Sequence, residues 1–282
     1  MPELPEVETI ARGLNRGVAG DVVESVWLGE KPEPLKSSAK EIVAVLERAR
    51  IGRVRRVGKH IVFDLARPSR NGRRSDATNA QWIVHLGMTG RLLIAAPETE
   101  TTKHTHAILK LASGRELRFV DPRRFGRLAV VRMESKMAAG FAAPGDEPLD
   151  SKTERFITLF RHRKTPIKSA LLNQKLLSGV GNIYADESLF RAGIRPRRRA
   201  ASLTRAELRK LHAAVQEVLR EAIELGGSSV SDYVDAEGRE GFFQLQHRVY
   251  GREGEPCLVC KTPIRRVVLV GRSSHYCPKC QR

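Results

Sequence analysis

The chain has 282 residues, enough for two domains of ordinary size, and carries 50 lysines and arginines against 32 aspartates and glutamates, a net charge of +18. So strong a positive field suits a polyanion, and without a run of about 18 apolar residues or a lipidation signature nucleic acid is the expected partner rather than a membrane. Aromatic residues make up only 5% of the chain, too few for many single-strand stacking platforms, which points to a duplex gripped by its phosphates.

The opening, MPELPEVETI, has no basic flank followed by an apolar run and so does not read as a secretory leader. Leu4, Val7, Ile10, Ala11 and Leu14 recur at steps of three and four and predict a helix starting almost at the first residue. Short alternating segments follow: VVESVWLG, RVGKHIVFDL, AQWIVHL, RLLIA, THAILKL and ELRFV. Their spacing predicts an all-β sandwich or barrel. The stretch RPSRNGRRSDATNA (67–80) interrupts them and reads as a protruding loop, and the Ala, Gly, Pro and acid-rich stretch from Glu134 to Asp150 reads as a connector.

Beyond the connector the period becomes helical. Ser151 with Glu154 and Thr204 with Glu207 each make a capping-box pattern. Between them lie IKSALLNQKLL and NIYADESLFRAGI, separated by a tight SGVG. The helix from Thr204 keeps Leu208, Leu211, Val215, Val218, Ala222 and Leu225 on one face and stops at Gly226-Gly227.

All four cysteines lie near the C-terminus, as Cys257-Leu-Val-Cys260 and Cys277-Pro-Lys-Cys280, sixteen residues apart. Two C-x2-C knuckles at that spacing fit one four-thiolate Zn2+ site, the alternative being disulfides or unliganded thiols. Four protein ligands leave no open coordination position, so the metal is expected to be structural. The loop it closes, TPIRRVVLVGRSSHY, reads as a hairpin exposing Arg265, Arg266 and Arg272, which suits nucleic acid, although zinc ribbons also bind protein.

Six stretches taken together, PELPEVET, HLGMTG (85–90), KHTH (103–106), DPRRFG (121–126), GVGNIYADE (179–187) and the cysteine ribbon, resemble the bacterial formamidopyrimidine-DNA glycosylase family. The resemblance spans nearly the whole chain, in order. It implies an α+β multidomain protein: an N-terminal β-sandwich with an N-terminal helix (1–134), a connector (135–150), a helix-two-turn-helix module with a lesion loop (151–246) and a four-Cys zinc finger (247–282). It also implies excision of oxidised purines, chiefly 8-oxoguanine and formamidopyrimidines, from double-stranded DNA, with cutting at the abasic site. Leu4 and the Gly-rich stretch near Gly226 favour this purine branch over the related endonuclease VIII branch, which prefers oxidised pyrimidines. A cytoplasmic, nucleoid-associated bacterial monomer is expected.

The residues give this resemblance a chemistry. Removal of Met1 is expected where proline follows, and it leaves Pro2 as a secondary amine able to attack sugar C1′ and form an iminium. An unperturbed terminal amine has a pKa of about 7.7 to 8.0, and a helix N-terminus inside a basic groove favours its neutral, nucleophilic form. By resemblance Glu3 is the acid for the sugar ring oxygen, while Glu6 steadies the site or its water; the plain alternative is that both acids complement the helix dipole. The resemblance further makes Lys59 the acid and phosphate contact for β-elimination, and Arg272 its counterpart for δ-elimination. It gives Arg163, Lys168 and Asn182 the backbone around a flipped nucleotide, and His104 a DNA contact. Met88, Arg123 and Phe125 match the residues that fill the gap left by the extruded base. Read without the resemblance, Met88 and Phe125 are ordinary core candidates, though each lies beside a glycine in a turn-like segment. A non-catalytic binder of damaged DNA or abasic sites would need neither Pro2 nor Glu3.

Overall fold

A computed structural model describes residues 1–67, 78–133, 140–230 and 233–282; most of the expected 67–80 loop and the start of the connector lie outside them. The chain divides into two compact units, Met1–Ala142 with Ser228–Gly241, and Ala143–Gly227 with Phe242–Arg282. The segment Ser228–Gly241, read from sequence as part of the helical domain, therefore groups with the N-terminal unit.

In the first unit, helix α1 (Leu4–Val18) is followed by β1 (Val23–Leu28), helix α2 (Ala39–Leu46) and strands β2 (Arg50–Val57), β3 (His60–Ala66), β4 (Ala80–His85), β5 (Arg91–Ala95), β6 (Thr105–Leu111), β7 (Glu116–Val120) and β8 (Arg127–Arg132). They form two antiparallel four-stranded sheets, in the orders β1-β6-β7-β5 and β2-β3-β4-β8. Inward residues of both sheets, among them Phe63, Trp82 and Leu128 from one and Leu92, Leu109 and Phe119 from the other, share one core. The expected sandwich is present. The apolar stripe of α1 (Val7, Ile10, Ala11, Leu14) enters the same core, which is why this helix forms at the chain start.

Two elements escaped the sequence reading. RVGKHIVFDL is not one strand: it spans the end of β2, a hairpin turn with Gly58 at φ +59° and Lys59, and most of β3. Helix α2 carries its own start signal, since Ser38 Oγ accepts the Glu41 amide at 3.2 Å.

The second unit holds α3 (Thr153–Phe160), α4 (Ile167–Leu171), α5 (Asn182–Ala192), α6 (Arg205–Glu224) and the hairpin β9 (Arg265–Leu269) and β10 (Arg272–Tyr276). Thr204 and Glu207 make the expected capping box, with Glu207 N to Thr204 Oγ1 at 3.2 Å and Thr204 N to Glu207 Oε2 at 2.8 Å. Ser151 does not cap α3, whose N-cap is Lys152. Its hydroxyl donates instead to Pro148 O at 3.1 Å and lies 3.1 Å from His212 Nε2. That buried imidazole won the side chain away from the helix end. The segment IKSALLNQKLL is helical only over Ile167–Leu171. Beyond α6, Gly226 and Gly227 take φ of +76° and +85°, the left-handed values that end the helix.

Candidate active site and nucleic-acid interface

At the start of α1, the Glu3 amide donates to Glu6 Oε2 at 2.8 Å, and the other Glu6 oxygen accepts the Ser228 amide at 2.8 Å. Both carboxylates are buried, at 5% and 3% exposure, and Pro2 is buried beside them. Glu6 is therefore fastened to two backbone donors, a steadying role. Tyr233 lies over the same turn, its hydroxyl 3.5 Å from Glu6 O. Burial, and then the Glu6 carboxylate, hold that phenol protonated far above its usual range. Sequence reasoning missed Tyr233, whose place depends on a contact across more than 220 residues.

Two loops of the first unit carry Met88, Arg123 and Phe125. Met88 is 42% and Phe125 51% exposed, so neither is a core residue. The loops are clamped together by backbone contact. A Cβ on Gly87, at φ +64°, would meet Phe125 C at 2.5 Å, which explains a glycine there. Asp121, fully buried, accepts from Thr89 Oγ1 at 2.6 Å and from the Gly126 amide at 2.7 Å, joining one loop to the other. The Arg123 guanidinium lies 4.8 Å from the centre of the Phe125 ring. The result is an exposed flat ring and a guanidinium held as one unit on a rigid base. Asp121 was also missed, although an Asp opening a Pro-containing turn is a readable signal.

Lys59, at the β2–β3 turn, neighbours His60 and His85, whose rings are 4.9 Å apart. His85 Nδ1 accepts the Gly87 amide at 3.1 Å, so it braces the Met88 turn as a neutral ring. Burial, and then the nearby His60, Lys59 and Arg127, push its pKa down to about 4. A histidine lowered in the folded state stays neutral there while its unfolded counterpart protonates. Its contribution is thus full above about pH 6.5 and is lost as pH falls toward 4, on the order of 2–3 kcal/mol. Denaturant unfolding of His85→Gln should accordingly lose less stability than wild type between pH 7 and pH 4.5. His104 lies in the turn before β6, where its carbonyl accepts the Asp121 amide at 2.9 Å.

In the second unit, Lys168 is only 1% exposed. Its ammonium is 2.7 Å from Asp186 Oδ1 and donates to Ser273 O at 2.5 Å. Asn182, the first residue of α5, reaches Ser273 Oγ at 3.3 Å, and Asp186 Oδ2 accepts the His275 amide at 2.9 Å. Lys168 and Asn182 are thus tied to the strand that starts with exposed Arg272, while Arg163 stands apart, its Nε donating to Leu159 O at 2.8 Å. A buried lysine fixed by a carboxylate braces this strand; it does not offer its charge to solvent. Glu187, also buried, accepts the amides of Arg248, Val249 and Tyr250 at 2.8–2.9 Å and so anchors the segment entering the ribbon.

The sulfur atoms of Cys257, Cys260, Cys277 and Cys280 all lie within 4.8 Å of one another, with two pairs at 3.9 and 3.4 Å and no disulfide. A tetrahedral zinc–thiolate site with bonds of about 2.3 Å has edges of about 3.8 Å, so the donors fit Zn2+. Lys261, at φ +62°, turns the first knuckle so that its amide reaches Cys257 O at 2.9 Å.

Family models for the formamidopyrimidine-DNA glycosylase N-terminal domain, the H2TH domain of the same enzymes, and a zinc finger found in FPG and IleRS match residues 1–128, 144–234 and 254–282. The chain belongs to the formamidopyrimidine-DNA glycosylase family. It is 46% identical over its full length to the formamidopyrimidine-DNA glycosylase of Solibacter usitatus (strain Ellin6076), the match also covering all of that protein. Among solved structures, the MutM (Fpg) protein of Thermus thermophilus matches with a TM-score of 0.83 at 42% identity, covering 99% of this chain and 98% of that one. Wild-type Lactococcus lactis Fpg bound to DNA containing N7-benzyl-Fapy-dG matches with a TM-score of 0.87 at 31% identity over 100% of both chains. The fold class is that of the family, and the four cysteines are its structural zinc site. No described helix is long and apolar enough to cross a membrane.

Proposed function

We propose that this protein is a bifunctional DNA glycosylase and abasic-site lyase of base excision repair that removes oxidised purines from duplex DNA. The observation that carries the reading is the buried Pro2-Glu3 pair at the N-terminus of α1, held by the fastened Glu6. Once Met1 is removed, the Pro2 nitrogen attacks C1′ and the base leaves, taking up a proton. Glu3 protonates the sugar ring oxygen as the ring opens, and an iminium joins Pro2 to C1′. Loss of a C2′ proton then expels the 3′ phosphate, and loss of a C4′ proton expels the 5′ phosphate. Water hydrolyses the iminium and returns the amine.

Lys59 and Arg272 are assigned to the two departing phosphates, and Arg163 and Asn182 to the neighbouring backbone. The N-cap of α5 is Gly181, which has no side chain to cover the first amides, and such a helix start accepts an anion. Lys168 and Glu6 act through other groups, as positioning residues. Met88, Arg123 and Phe125 fill the gap left by the extruded base, and His104 contacts the DNA. Each reactive group comes from one chain, so a monomer suffices, and a duplex substrate sets the work on the nucleoid in the bacterial cytoplasm.

Single-turnover cutting of matched duplexes should be faster on 8-oxoguanine than on thymine glycol. Faster cutting of thymine glycol would move the protein to the pyrimidine branch, and tight binding without cutting of either would make it a damage-binding protein.

A further inference from the structure

Along α1 from the proposed reactive end, five arginines converge on one groove. Arg12 and Arg16 are one helical turn apart on α1, and Arg53 and Arg55 are alternate residues of β2, so each pair projects from one face of its element. Together with Arg56, Glu8, Ala11, Asn15 and Val54 they line a groove of ≈ 420 Å³. Two carboxylates face this set. Glu8 holds Arg12 and Arg56, each at 2.8 Å, and Asp64 holds Arg55 at 3.0 Å. Arg16 and Arg53, both exposed, have no carboxylate within ion-pair distance among the described residues.

Five guanidiniums against two carboxylates leave an excess of positive charge that only an external anion offsets. Planar forks select phosphate oxygens. The amide of Val54 in the groove is already taken by Asn15 Oδ1 at 2.8 Å and so is not open to a small phosphate. The groove's donors instead stand in two rows, with steps of about 6 Å along the helix and about 6.7 Å along the strand, a layout for successive phosphates of a chain. Arg16 is twelve residues beyond Leu4, about 18 Å along the helix axis, too far to serve the sugar at Pro2.

We propose that this groove is a second phosphate-binding site, which holds the backbone of a DNA segment other than the one undergoing base excision. Such a site lets the protein keep hold of one segment while it tests another. The proposal rests on the excision reading only for its choice of control substrate.

The test uses the full-length zinc-loaded protein saturated with an uncleavable tetrahydrofuran-site duplex, to which a fluorescent undamaged duplex is added and followed by anisotropy. Wild type should bind the second duplex, and R16E/R53E should weaken that binding by about tenfold or more, with R16Q/R53Q in between. Single-turnover cutting of an 8-oxoguanine duplex should be unchanged in both variants. Equal second-duplex binding in R16E/R53E would overturn the proposal, as would a parallel loss of cutting, which would put the groove on the main DNA track. Inorganic phosphate that displaces the second duplex at concentrations comparable to that of the duplex itself would assign the groove to a small anion and overturn it too. A wild type that fails to cut while binding the second duplex as described would leave the groove standing and sink the excision reading alone.

Discussion

Replacing Glu3 with glutamine is expected to lower base excision by about a hundredfold to ten-thousandfold, the usual contribution of a positioned general acid. Glutamine keeps the volume, and the backbone amide at position 3 still donates to Glu6 Oε2, so the start of α1 should survive and thermal unfolding should change little. The chemistry loses its proton donor to the ring oxygen. Cutting of a duplex that already carries an abasic site should fall less, because its sugar exists partly in the ring-opened form. Equal loss on both substrates would mean that Glu3 supports the helix rather than the reaction.

Zinc removal should produce the second large effect. Structural zinc at four cysteines binds with about 10–16 kcal/mol, and that energy is folding energy for so small a ribbon. The ribbon's own core is slight: Val249 and Ile264 around Cys257 and Cys277, packed with Phe190 of α5. Stripping the metal, or substituting Cys277→Ser, should therefore unfold 247–282 and displace Arg272. Duplex binding and strand cutting should collapse together. The sandwich should stay folded, since no residue beyond 241 belongs to its core. Zinc content and far-UV circular dichroism after chelation check both halves of this prediction.

How much of this was readable from residues alone depended on how local each signal was. The cysteine knuckles and the stripe of α1 depend on neighbours a few positions away, and both appear as expected. The contrast between two like signals shows where locality ends. Ser38 with Glu41 and Ser151 with Glu154 have the same spacing, yet Ser38 caps its helix while Ser151 bonds to Pro148 and meets His212, a partner 61 positions on. Lys168 teaches the same lesson at the interface. The resemblance gives it to the DNA backbone around a flipped nucleotide, but in the fold it is buried against Asp186 and Ser273, the latter 105 positions away. Asp121 and Tyr233 escaped for the same reason, as each acts through groups that only the folded chain gathers. Motif resemblance named the residues of the reaction, and the structure supplied partners such as Asp121, Asp186 and Tyr233 that lie around them.

The central claim is that the amine of Pro2, freed by removal of Met1, is the nucleophile. Incubating the protein as purified with an 8-oxoguanine duplex and sodium borohydride, then weighing the intact adduct and its N-terminal peptide, tests it most directly. The account predicts a chain lacking Met1, joined to the DNA sugar through the Pro2 nitrogen, and almost no adduct from Pro2→Gly. A processed wild-type chain that cuts the duplex without forming an adduct, or an adduct carried on a lysine, would contradict it.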